Sequence, residues 1–209
     1  MPYLPEFLTV AAVHLLAAMS PGPDFVMITR NSLIYSKRTG IYSSVGLALG
    51  ILLHITYSMV GIGLIISQSI VLYSTIKLFG AAYLLWIGCQ SLRSKPHTVT
   101  VSQEEKKEDL SPLSAIRLGF LTNALNPKAT LFFLALFTQV INPLTPLGIK
   151  ILYGAEMSIA QFAWFALVAT LLSHRVVKNR FVSVAHHVER VFGVILVALG
   201  IRVALSSSK

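Results

Sequence analysis

Long apolar runs of helical length, parted by short charged stretches, constrain this chain more than any other feature. Most of the charge falls in three places: Arg30 to Arg38, Arg93 to Arg117 and Arg175 to Arg190. A helix needs about 20 mostly apolar residues to cross roughly 30 Å of hydrocarbon. The runs predict about six transmembrane helices, at 4–28, 41–66, 70–92, 114–140, 149–172 and 190–206. Six such spans use up most of the 209 residues. The expected fold class is therefore an all-α polytopic membrane protein, a single membrane domain over 1–209. The N-terminal run carries no basic residue ahead of it and reads as the first span rather than a signal peptide.

Composition supports this. Charged residues make up 12% of the chain, where a soluble domain carries about 25%. The net charge of +9 could point to nucleic acid, but basic residues that collect in loops on one membrane side account for it better. Lys and Arg crowd the first, third and fifth loops, which predicts a cytoplasmic side there and both termini outside; if one span failed to cross, the termini would lie on opposite sides. The polar segment 93–112, with Glu104, Glu105, Lys106, Lys107, Glu108 and Asp109, is the expected cytoplasmic linker. Cys89 alone makes neither a disulfide nor a cysteine metal site, and it is expected to be a small buried hydrophobe. No cofactor is expected.

The two halves echo each other. Gly40-Ile41 recurs as Gly148-Ile149, Gly46 and Gly50 as Gly154 and Ser158, and Lys77-Leu78-Phe79-Gly80 as Arg190-Val191-Phe192-Gly193. Gly88 matches Gly200, and Pro21 matches Pro127. A three-span repeat, 1–92 and then 113–209, must enter the membrane from opposite sides the two times. That is the inverted-repeat architecture of many secondary transporters, with sites near the midplane at broken helices.

Both halves carry such a break. Ser20, Pro21, Gly22, Pro23 and Asp24 interrupt the first run, and Asn123, Asn126, Pro127 and Lys128 interrupt the fourth. Proline removes a backbone donor and clashes with the preceding turn, while glycine adds freedom. The freed carbonyls need partners within hydrocarbon. These residues either line a wet cavity or end the helix near the membrane edge. At about 1.5 Å per residue, Pro21 lies about 26 Å from Leu4, and Lys128 about 20 Å past Ala115. Asp24 sits where a new half-helix begins, and the helix dipole favours an anion there. It is a functional candidate, with a helix cap near the headgroups as the alternative. Lys128 either snorkels to an interface or faces the same cavity. His54 and Glu156 also fall inside spans, as packed polar residues or as members of a proton relay. Packing is the expected role of Tyr83, Trp86 and Trp164. The small-residue face Gly46, Gly50 suits close helix packing, within the chain or in a homodimer.

At these residues the sequence resembles the LysE/RhtB family of amino-acid exporters. The resemblance is carried by Ser20-Pro21-Gly22-Pro23-Asp24, by Arg38 with Gly40, Gly46 and Gly50, by Gly80-Ala81-Ala82-Tyr83-Leu84-Leu85-Trp86-Ile87-Gly88, and by Asn126-Pro127-Lys128. It implies a secondary transporter, not an enzyme, that exports amino acids or close derivatives such as threonine or homoserine across the bacterial inner membrane, driven by protons. The partners it implies are an amino-acid substrate, protons and lipid. Substrate contacts are expected from Ser20, Pro21, Gly22, Pro23, Asp24, Asn123, Asn126, Pro127 and Lys128. Proton coupling is expected from Asp24, His54 or Glu156, and alternating access from rocking of one repeat against the other. The competing readings are an exporter of metal or another small cation and a non-transporting scaffold.

Overall fold

A computed structural model describes residues 3–93, 107–172 and 175–206. Most of the expected linker, 94–106, lies outside them. Among the described residues the chain is entirely helical, in eight helices. They are α1 (Leu4–Met19), α2 (Pro23–Ile34), α3 (Lys37–Gln68), α4 (Ile70–Leu92), α5 (Pro112–Ala124), α6 (Pro127–Gln139), α7 (Leu147–Leu172) and α8 (Arg175–Ser206). The order is a broken pair and two long helices, then the same again.

The breaks fall where the prolines dictate. Pro23 opens α2 and Pro127 opens α6; at the first helical position the missing N–H is no loss, and the fixed φ suits the turn. The pairs bend by 54° at α1–α2 and by 59° at α5–α6. Pro23, rather than Pro21, is thus the positional partner of Pro127. The sixth helix also differs from expectation: α8 starts at Arg175, because the charged stretch before residue 190 continues the helix instead of ending it.

The outer surface is apolar. Leu49, Leu53, Val60, Phe79, Ile159 and Val194 are all exposed, far more apolar surface than a water-soluble protein shows. Lipid is the solvent that suits it. Among the described residues, stretches 37–61 and 147–171 are long and apolar enough to cross a membrane alone, and each bent pair qualifies when taken as one span. Cys89 is exposed on α4, not buried as expected; a small apolar side chain facing lipid needs no burial.

Two apolar clusters fill the interior. One gathers Val10, Ile51, Leu84, Phe133, Tyr153 and Phe192; the other gathers Phe25, Ile28, Leu47 and Phe165. Glycines set the closest approaches. A Cβ on Gly46 would strike the Ile116 carbonyl, and one on Gly119 the Ser43 carbonyl, so α3 and α5 touch backbone to backbone. The Gly46, Gly50 face is therefore covered within the chain. Gly88 and Gly193 do the same for α4 and α8.

The two halves interleave. Most helix packing runs between them: α3 on α5, α6 and α7, α4 on α8 and α6, and α1 on α7 and α8. Packing of this kind does not leave two separate blocks to rock on each other.

Two carboxylates tie the ends of the broken pairs. Glu6, in α1, accepts from the Asn142 backbone N–H at 3.2 Å and from the Thr145 hydroxyl at 2.9 Å. Asp109, just ahead of α5, accepts from the Ser36 hydroxyl at 2.8 Å and the Thr39 hydroxyl at 3.4 Å. The start of the first pair meets the end of the second, and the start of the second meets the end of the first, so the pairs run antiparallel. These bonds to carboxylates lie partly in water, which holds their contribution to about 1 kcal/mol. In Asp109→Asn, amide exchange by local opening at 36–39 should rise roughly fivefold, with 142–145 unchanged. Glu6→Gln should give the converse; equal rates everywhere would refute the ties.

Candidate functional site

The two breaks lie side by side, and their loose backbone explains the chemistry gathered there. Pro127 has no N–H, so the Asn123 carbonyl loses the helical partner four residues on. It accepts instead from the Asn126 N–H at 2.9 Å and from His54 Nε2 at 2.9 Å. Because that partner is a carbonyl, Nε2 carries the proton, and Nδ1 faces the Tyr57 hydroxyl at 2.6 Å. His54 is fully buried and lies flat against Phe133, with ring centroids 5.6 Å apart. At the other break, the Pro21 carbonyl accepts from Lys128 Nζ at 3.2 Å. The second break thus satisfies the backbone of the first, and α3 satisfies that of the second.

Asp24 lies in the first turn of α2. It accepts from Asn123 Nδ2 at 2.7 Å and from Asn126 Nδ2 at 3.1 Å. Asn126 is also the N-cap of α6, its Oδ1 accepting from the Lys128 backbone N–H at 3.0 Å. That cap fixes the amide's orientation, so the NH₂ faces the carboxylate. A Cβ on Gly50 would meet the Asn123 side chain at 2.8 Å, so only glycine leaves room for Asn123. Lys128 Nζ donates to Ser20 Oγ at 2.9 Å.

These groups border a cavity of about 60 Å³. Ser20, Gly22, Asp24, Asn123, Asn126 and Lys128 all line it. Pro21 adds its carbonyl through Lys128, Pro23 and Pro127 shape the helix starts, and His54 reaches Asp24 only through Asn123. Glu156 stands apart: it is half-buried on α7, outside the cavity lining, and one carboxylate oxygen is buried without a partner. The rest of the lining is mostly apolar and aromatic. It includes Phe132 and Phe165, Tyr83, Leu84 and Ile87 of α4, and Phe192 and Leu196 of α8. The cavity therefore lies between the broken pairs with α7 on one side and the α4–α8 pair on the other.

Sequence reasoning passed over two lining residues, His14 and Gln161. An ionisable side chain inside an apolar run was the available signal for His14. Gln161 gave no comparable signal. Of the aromatics expected to pack, Tyr83 lines the cavity and Trp86 is exposed beside it, with rings 5.9 Å apart. Trp164 packs on the second apolar cluster. Among the described residues, no group of three His, Cys, Asp or Glu side chains could hold a metal ion.

A family model described as LysE type translocator matches residues 15–207. A threonine efflux protein of Escherichia coli (strain K12) is 30% identical over 203 residues, covering 96% of this chain and 98% of that one. Its counterpart in Salmonella typhi is 28% identical over 202 residues, with the same coverage. An uncharacterized membrane protein of Vibrio cholerae is 37% identical over 127 residues, or 60% of each chain. No solved structure matches.

Proposed function

This chain belongs to the LysE type translocator family, and on that premise we propose that it exports amino acids or close derivatives, of threonine or homoserine type, across the bacterial inner membrane in exchange for protons. It is a membrane transporter, not an enzyme. The observation that carries the proposal is one small cavity holding a fixed carboxylate and a fixed ammonium. A zwitterion leaving water needs an opposite charge at each end, because an unpaired charge in low dielectric is expensive. Lys128 holds the substrate carboxylate, near the N-terminus of α2. Asp24 holds the ammonium or takes up a proton from outside in its place. His54 acts behind Asp24 through Asn123, and Glu156 remains a separate proton-coupling candidate. The relatives named for threonine efflux support this substrate class.

We read the chain as six spans in two inverted repeats, 1–92 and 113–209, with the basic loops cytoplasmic. The helix directions agree with that count. Gly46 and Gly50 meet Gly119 and Asn123 in the same order along α3 and α5, which are therefore parallel. Gly88 meets Gly193 while Gly200 meets Ala81 and Leu85, so α4 and α8 are antiparallel. The moving parts that suit the interleaved packing are the α4–α8 pair, one helix from each repeat, against the remaining helices. A homodimer would have to use a face other than Gly46, Gly50.

Reconstitution in liposomes tests this. With an imposed pH gradient, labelled threonine or homoserine should move against its concentration gradient, and a protonophore should abolish the movement. No transport of any amino acid across a broad panel would refute the export reading. Transport that the protonophore leaves untouched would refute proton coupling alone.

A further inference from the structure

We propose that His14 and Gln161 form a second polar subsite of this cavity, which reads a hydrogen-bonding group on the substrate side chain. The inference rests on the amino-acid export reading above.

The cavity contains two kinds of polar group. Those at the breaks are partnered with one another: Asp24 with two asparagine amides, and Lys128 with Ser20 and Pro21. His14 and Gln161 are different. They are 2% and 4% exposed and line the cavity from α1 and α7. His14 Nδ1 is buried without a hydrogen-bond partner, and no hydrogen bond holds the Gln161 side chain among the described residues. Buried polar groups are almost always paired, and leaving one unpaired is unfavourable. Two of them on one small cavity mark a place where a ligand supplies the missing partners.

Their position says which part of the ligand. His14 precedes Ser20 by six residues, about 9 Å along the helix. That separation from the groups that hold the two charges places it for the substrate's side chain. An imidazole and a carboxamide can each donate and accept, as can a hydroxyl. An aliphatic group of the same shape would leave both unmatched. Sites built around such a hydrogen bond reject isosteres that lack it far more strongly than apolar pockets reject shape variants.

Threonine and valine have the same shape and differ by a hydroxyl, so they are the probes. Transport of each is measured in liposomes containing wild type, Gln161→Met or His14→Phe, with membrane abundance matched. Wild type should prefer threonine. Each variant should lower the threonine-to-valine rate ratio about tenfold or more while valine transport is kept or raised. Gln161→Asn, which keeps an amide, should retain part of the preference. If His14→Phe fails to accumulate, the two Gln161 variants decide. A parallel loss of both substrates, or an unchanged ratio, overturns the subsite and leaves the export reading standing. A wild type that moves neither amino acid overturns the hydroxyl-reading subsite, and the export reading falls with it only when no amino acid of the broad panel moves.

Discussion

Replacing Asp24 with Asn should reduce threonine efflux at least a hundredfold, to the level of cells without the transporter. An asparagine there offers one acceptor to two donors, so either Asn123 or Asn126 loses its partner. Hydrogen bonds to a charged group contribute about 1.5–3 kcal/mol each, and the partner for the substrate ammonium goes with them. Lys128→Met keeps most of the side-chain length, removes the ammonium, and should reduce efflux as far. Asp24→Glu should keep part of the activity, because the charge survives at a shifted position. Efflux is followed with labelled threonine, and membrane abundance is checked by immunoblot. A variant that inserts normally and still exports at the wild-type rate would exclude that residue from substrate handling.

The second large effect is on assembly. Gly119→Val should leave little folded protein in the membrane. A Cβ at Gly119 strikes the Ser43 carbonyl and lies 3.1 Å from the Leu47 nitrogen. Both are helix backbone and cannot turn aside as a side chain would. Helices in lipid gain from such close approach, because no hydrophobic force drives them together. Forcing α3 and α5 apart should destabilise by at least the ~3 kcal/mol upper end typical of overpacking. Gly61→Ala is the control, since a Cβ there meets nothing within 4 Å. The readout is the melting temperature in detergent together with yield. A Gly119→Val protein with wild-type melting would mean that α3 and α5 do not meet there.

The sequence made the breaks legible because proline and glycine act locally, and Ser20 to Asp24 and Asn126 to Lys128 announce them without any tertiary context. The glycine echoes suggested a repeat, and a broken-long-long order of helices occurs in each half of the chain. Which polar groups meet was not legible. Asp24 and Asn123 lie 99 residues apart in the chain, and Lys128 and Ser20 lie 108 apart. Only the antiparallel crossing of the broken pairs brings them together. The charged run after Arg175 looked like a loop because composition reports solvation, while helix formation continues through charged residues. Cys89 was misplaced for a related reason: the rule that apolar means inside assumes water outside. Pro23 could have been recognised as the start of α2 from its fitness for a first helical turn. Pro21 drew equal attention as a helix breaker, and its alignment with Pro127 hid the role of Pro23.

The ties made by Glu6 and Asp109 bear on leakage. A carrier that drains a proton gradient must never have both doors of its airlock ajar. On the proposed proton exchange, the seam between the broken pairs has a bolt at each end, a carboxylate across a short loop anchored in the opposite half of the chain, and these keep the seam shut while α4 and α8 move. If each slips independently for a small fraction of the time, the chance that both are open is the product of two small fractions. Drawing either bolt alone should therefore raise the idle proton current only modestly, whereas removing both should raise it by more than the sum.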